Sequence, residues 1–92
     1  MLRLTTIAIT GNFIQEIRTE LGLIQFSFLR KTTHMRDKYF VLAMDKKLKP
    51  HWFSMVAKER KWVIEAVLKV PKWIRDVEVQ LSEAIVSYNQ MN

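Results

Sequence analysis

The chain has no cysteine, and only two glycines, two prolines and two histidines in 92 residues. Without cysteine there is no disulfide framework, zinc finger, iron–sulfur ligation or thiol nucleophile. Gly11 and Gly22 are too few and too far apart for a glycine-rich phosphate loop, which needs two or three glycines at close, fixed spacing. Long apolar runs are missing as well. The longest, Tyr39 to Met44, is six residues, whereas a membrane-spanning helix needs about 18 or more. The stretch Met1 to Thr10 carries one basic residue and has threonines inside its apolar part, a poor match to a signal peptide, so an intracellular protein is expected. Repeats, low-complexity tracts and linkers are also missing, which points to a single compact domain over 1–92.

What is present is grease and positive charge. Apolar residues make up 49% of the chain, and Leu, Ile, Val and Phe number 30. That is about a third, well above the ~20% below which a chain stays disordered. A domain this small has a high surface-to-volume ratio, so the surplus implies a generously filled core or apolar surface buried by a partner. A homo-oligomer or hetero-complex is therefore expected.

The formal charge is +6 and it is unevenly placed. Residues 30–61 hold ten basic and three acidic residues; the other sixty hold five and six. Such a cluster attracts polyanions by counterion release and long-range steering. Arg30, Lys31, Arg36, Lys46, Lys47, Lys49, Lys58 and Lys61 are the candidate contacts to nucleic acid or to an anionic partner. The loop 30–38 and the turn 45–50 would lie at opposite ends of one strand, roughly 25 Å apart at ~3.3 Å per residue.

Local patterns suggest the elements. Residues 2–10 alternate and read as a strand, and Gly11-Asn12 as a turn. Phe13, Ile14, Ile17 and Leu21 have helical spacing with Gly22 as a C-terminal stop, so 13–21 reads as a short helix. Residues 23–30 and 38–45 read as strands joined by the polar stretch 30–38. Lys58, Lys61, Glu65 and Lys69 are spaced 3, 4 and 4; that spacing, with Pro50 just before, predicts a helix over 51–69. Its apolar residues would span roughly 240° of the wheel, wider than one buried face requires. Ile74, Val77, Leu81, Ala84, Ile85 and Tyr88 form a stripe that predicts a helix over 72–90 opened by Pro71. The expected fold is α+β, a three-stranded sheet with helices on one face in the order β-α-β-β-α-α. A small all-α bundle is the alternative if 28–45 is helical.

On the predicted 51–69 helix, Trp52, Phe53, Val56, Val63 and Val67 fall within the apolar arc and read as core. Trp62 lies at its edge among lysines and is the tryptophan best placed to touch a ligand. Met55, Trp62 and Ala66, with Val79 and Val86 opposite the stripe of the last helix, make a candidate protein interface. No catalytic constellation is visible. His34, Asp37 and His51 are too few for a metal site, and Glu59 and Glu65 are not a facing carboxylate pair. The expected protein is a non-enzymatic binder without metal, cofactor or small-molecule substrate. Its basic 30–61 segment would contact nucleic acid or a nucleic-acid-handling complex. Alternatively it is an interaction module, a dimeric regulator, inhibitor or assembly subunit, working through helix 51–69.

Overall fold

A computed structural model describes residues 12–33, 36–65 and 70–90. Five strands follow one another as an antiparallel meander: β1 (Phe13–Thr19), β2 (Gly22–Thr33), β3 (Arg36–Met44), β4 (Pro50–Lys58) and β5 (Lys61–Ile64). The sheet is curled into a half-barrel. Two helices come last, α1 (Lys72–Arg75) and α2 (Glu78–Gln90). This corrects the three-stranded β-α-β-β-α-α expectation and excludes the all-α alternative. The strand expected at 2–10 lies outside the described residues.

Both missing helices fail for one physical reason. In a strand, residues an even number apart share a face, so Phe13 and Ile17, four apart, satisfy a strand as well as a helix. Asn12, read as a turn residue, instead extends the sheet edge by accepting the Arg30 backbone N–H at 3.1 Å. Thr19 pairs with Gly22 around a two-residue turn, where Gly22 has φ +103°. In the second half, β4 and β5 turn at Glu59-Arg60, with Lys58 directly opposite Lys61. A two-residue turn brings residues three apart onto one face, and four is even. The spacing 3, 4 that suggested a helix therefore also describes a tight hairpin. The turn hides itself because both central residues have positive φ, 50° and 71°, a geometry usually marked by Asn-Gly or Asp-Gly.

One face of the sheet carries the core. Ile17, Ile24, Phe26, Phe28, Tyr39, Val41, Ala43, Phe53 and Met55 are buried there against Ile74, Val77, Leu81 and Ile85. The helical stripe predicted after Pro71 thus faces the core, although a break at Asp76-Val77 divides the helix in two. Tyr88, Phe13 and Phe28 stack in sequence, with centroids 4.3 and 4.4 Å apart. Tyr39 sets its edge against Phe28 and Trp62 and hydrogen-bonds Asn89 through its hydroxyl. Burial pushes the Tyr39 phenol pKa up.

Helix α2 also closes one sheet edge. The Trp62 backbone N–H donates to Ser82 Oγ at 2.9 Å, and that of Ile64 to Glu78 Oε2 at 2.7 Å. These N–H groups point away from β4 and would otherwise template another strand.

Candidate nucleic-acid interface

The opposite face of the sheet is the candidate site. Among the described residues no helix packs on it, and its side chains follow from the register. Lys31 pairs with Lys38, and Lys38 with Val56. One row further in, Leu29 pairs with Phe40, and Phe40 with Ser54. The next row holds Ile14, Ser27, Leu42 and Trp52. The far end carries Leu23 opposite Arg18. A cationic row thus borders an aromatic and aliphatic centre.

The centre is partly exposed. Trp52 is 62% accessible, Ile14 60% and Leu29 42%, while Phe40 and Leu42 are half-buried. Scattered apolar surface residues need no explanation, but contiguous ones mark a contact surface. A cleft of about 470 Å³ opens here, lined by Ile14, Leu29, Phe40, Leu42 and Trp52 among others.

The cationic row has an unusual feature. Lys31 lies directly opposite Lys38, and Lys58 directly opposite Lys61. Both like-charge pairs are on the same face and at the same end of the sheet. Like charges directly opposite across a sheet are destabilising. The Lys31 and Lys38 ammonium groups stand 6.0 and 5.9 Å from the centroid of Phe40, the outer limit of a cation–π contact. Lys38 also meets Glu65 at 3.2 Å, and Ser54 donates a hydrogen bond to the same carboxylate. Lys31, Lys58 and Lys61 have no carboxylate partner within bonding distance among the described residues.

The other predicted cations divide between several places. Arg30 is on the helix-covered face and is already engaged. Its guanidinium bonds Asp37 at 2.6 Å and holds that carboxyl below the ordinary range, with help from the Thr32 hydroxyl. Arg36 opens β3. Lys46, Lys47 and Lys49 belong to the β3–β4 turn, at the other end of β3. Asp45 organises that turn, accepting the backbone N–H groups of Lys47 and Lys49 on one oxygen while His51 meets the other at 3.2 Å. Those hydrogen bonds, led by the one from Lys49, pull the Asp45 pKa down. Leu48 in this turn has φ 61°. The two basic segments therefore occupy opposite ends of the sheet; the first borders Phe40, and Lys49 of the second precedes Trp52 by three residues.

Of the residues singled out for a protein interface, the structure brings Trp62, Val79 and Val86 together and separates Met55 from them. Met55 is completely buried in the core. Ala66 lies outside the described residues. Trp62 packs half-buried on Tyr39, and lines a groove of about 380 Å³ between β5 and α2 together with Val79 and Val86. The apolar surface expected on helix 51–69 is not a helical face: the described part of that segment is β4, β5 and Glu65, which split its side chains between both sides of the sheet. His34 also lies outside the described residues, and no cluster of metal-ligating side chains occurs among the described ones. No helix of the described residues is long and apolar enough to cross a membrane.

Trp52 and Phe40 are what sequence reading missed. The signal was available: as a strand, 50–58 separates His51, Phe53, Met55 and Ala57 from Trp52, Ser54, Val56 and Lys58. Comparison with protein-family models, curated proteins and solved structures finds no match for this chain.

Proposed function

We propose that the protein is a non-enzymatic nucleic-acid-binding module that uses the open face of its sheet. The observation that carries this reading is the double like-charge pairing, Lys31 with Lys38 and Lys58 with Lys61. A fold selected for stability alone places opposite charges across strands. Four lysines held together at one end, beside the half-buried Phe40 ring and on the same face as the exposed Trp52, instead suit a ligand with repeated negative charge and planar apolar groups. Phosphates supply the first and bases the second.

The test is binding of a fluorescently labelled oligonucleotide, measured across a salt series. Affinity is expected to fall steeply between about 50 and 200 mM salt, with a slope reduced by the double replacement Lys31→Ala/Lys38→Ala. Absence of binding at low salt, or a slope the lysine replacements leave unchanged, would sink the proposal.

A second reading has its own support, the aliphatic content of the same face at Ile14, Leu23, Leu29 and Leu42. Here a second copy of the chain closes the face. Native mass spectrometry separates the two, since only this reading requires a stable dimer without nucleic acid.

A further inference from the structure

The open face has a feature that charge does not explain, and it bears on which form of nucleic acid fits. Phe40 and Trp52 are the described aromatic side chains on this face. Neither ring is paired with another aromatic ring among the described residues, whereas Phe13, Phe28, Tyr39, Trp62 and Tyr88 on the covered face all are. They lie on adjacent strands. Phe40 is opposite Ser54, and Trp52 is two residues before Ser54, so the two form a diagonal pair, roughly 7–8 Å apart.

We infer that the open face takes single-stranded rather than duplex nucleic acid, with neighbouring bases stacked on Phe40 and Trp52 and the backbone drawn to the Lys31–Lys38 row. This rests on the nucleic-acid reading above and narrows it. A duplex buries its base faces in its own stack and offers phosphates and groove edges. Its major groove admits a helix or a two-stranded ribbon, not a five-stranded sheet. Laid on this face, a duplex would set phosphates against Leu29, Leu42 and Trp52 and desolvate them without return. A single strand exposes what the face can use, because unstacked bases supply apolar planes to the rings. Their phosphates run toward ammonium groups one row from Phe40 and two rows from Trp52. The cleft of about 470 Å³ between the rings and Leu29, Leu42 and Ile14 falls in the range of small-ligand sites, ~300–1,000 Å³. Lys31 and Lys38 sit at the limit of contact with the Phe40 ring, so a base can take the ring as the ammonium groups turn to its phosphate. Stacking does not depend on base identity, so sequence preference is weak.

The experiment uses the full chain and three labelled probes of about 16 nucleotides: oligothymidylate, oligouridylate and a DNA duplex. Each is titrated with the native protein and with Trp52→Ala, Trp52→Phe and Lys31→Ala/Lys38→Ala. Trp52 is mostly exposed, and urea melts of each variant verify that it remains folded. At least tenfold tighter binding is expected for one or both single strands than for the duplex. Trp52→Ala is expected to weaken single-strand binding roughly ten- to hundredfold, the range for loss of one stacked base, with Trp52→Phe restoring most of it and duplex binding unmoved. Equal affinity for duplex and single strand overturns the inference. So does a Trp52→Ala variant that binds normally while the lysine variant does not; in both cases the nucleic-acid reading survives as charge attraction alone. Failure of every probe to bind at low salt, or a dimer that hides Trp52 from all of them, overturns both.

Discussion

The two faces of one sheet obey different rules. Over the core of the covered face the pairings are ones that packing favours, and the polar pairs at its end, Arg30 and Thr32 with Asp37, are of opposite charge or hydrogen-bonded. Phe28 lies against Val41 and Phe13, Tyr39 against Met55, and the aromatic rings find one another. On the open face two of the cross-strand pairs are lysine on lysine, and a tryptophan stands in solvent. Both faces are built from the same strands, so strand propensity cannot account for the contrast. Real proteins break local rules where a site needs it. On the open face Lys38 and Ser54 bond Glu65, whereas Lys31, Lys58, Lys61 and Trp52 are left to the solvent side.

The largest expected difference lies in stability. Phe28→Ala, on the covered face, should cost about 3–5 kcal/mol by removing a completely enclosed ring. Phe40→Ala, on the half-buried open face, should cost about 1 kcal/mol, in keeping with partial burial. Urea denaturation of both variants measures the gap, and comparable losses would erase the distinction between the faces.

The next largest effect concerns the β4–β5 turn. Glu59 and Arg60 both occupy the left-handed region, which costs an ordinary residue roughly 1–2 kcal/mol. Replacing them by Asn and Gly should stabilise the protein by about 1–2 kcal/mol and should not weaken oligonucleotide binding if Lys58 and Lys61 carry the contact. A thermal melt and one titration test both halves. A loss of binding in the Asn-Gly variant would instead bring Arg60 into the site.

A smaller change has opposite signs for stability and binding. Lys31→Glu turns a like-charge pair into an attractive one facing Lys38, worth about 0.2–1 kcal/mol of added stability. The same change should reduce oligonucleotide affinity. A variant that is both less stable and equally tight-binding would contradict the idea that stability is spent there for charge.

The smallest effect is the response to pH. Asp37 and Asp45 have folded pKa values below the ordinary 3.8, so their stabilisation is complete above that value and fades as pH falls through the depressed ones. Asp37→Asn and Asp45→Asn should each flatten the acid side of a stability-against-pH profile followed by urea melts. An unchanged profile in both would mean that neither carboxylate contributes. Neither aspartate is on the open face, so this test also shows how little of the acid response belongs to the site.

The parts of the fold that are legible in the sequence are those where one pattern excludes another. Ile24, Phe26 and Phe28 alternate with polar residues, and Ile74 to Tyr88 repeat at helical spacing over four turns; each pattern fits only one element. Illegible parts are those where the two periods agree. Phe13 and Ile17, or Lys58, Lys61 and Glu65, satisfy both, and only a turn residue could have decided between them. Glu59-Arg60 gives no such sign because its strained geometry is made by residues that do not advertise it. The consequence for the site follows from parity. On a helix Trp62 is at the edge and Trp52 is core; on strands Trp52 faces out and Trp62 faces Tyr39. The basic cluster is visible as composition, and its division between two ends follows from reading 38–45 as one strand; that Lys58 faces Lys61 at the same end as Lys31 and Lys38 depends on pairing that no local window contains.

The most direct test of the account is a map of the contact surface in solution. Titrating the protein with oligothymidylate and following amide and indole resonances by NMR should perturb Lys31, Lys38, Phe40, Leu42 and the Trp52 indole, while Trp62 and the α2 residues Val79 and Val86 remain still. Binding whose perturbations gather instead in the β5–α2 groove, or only in the Asp45–Lys49 turn, would contradict the assignment of function to the open face.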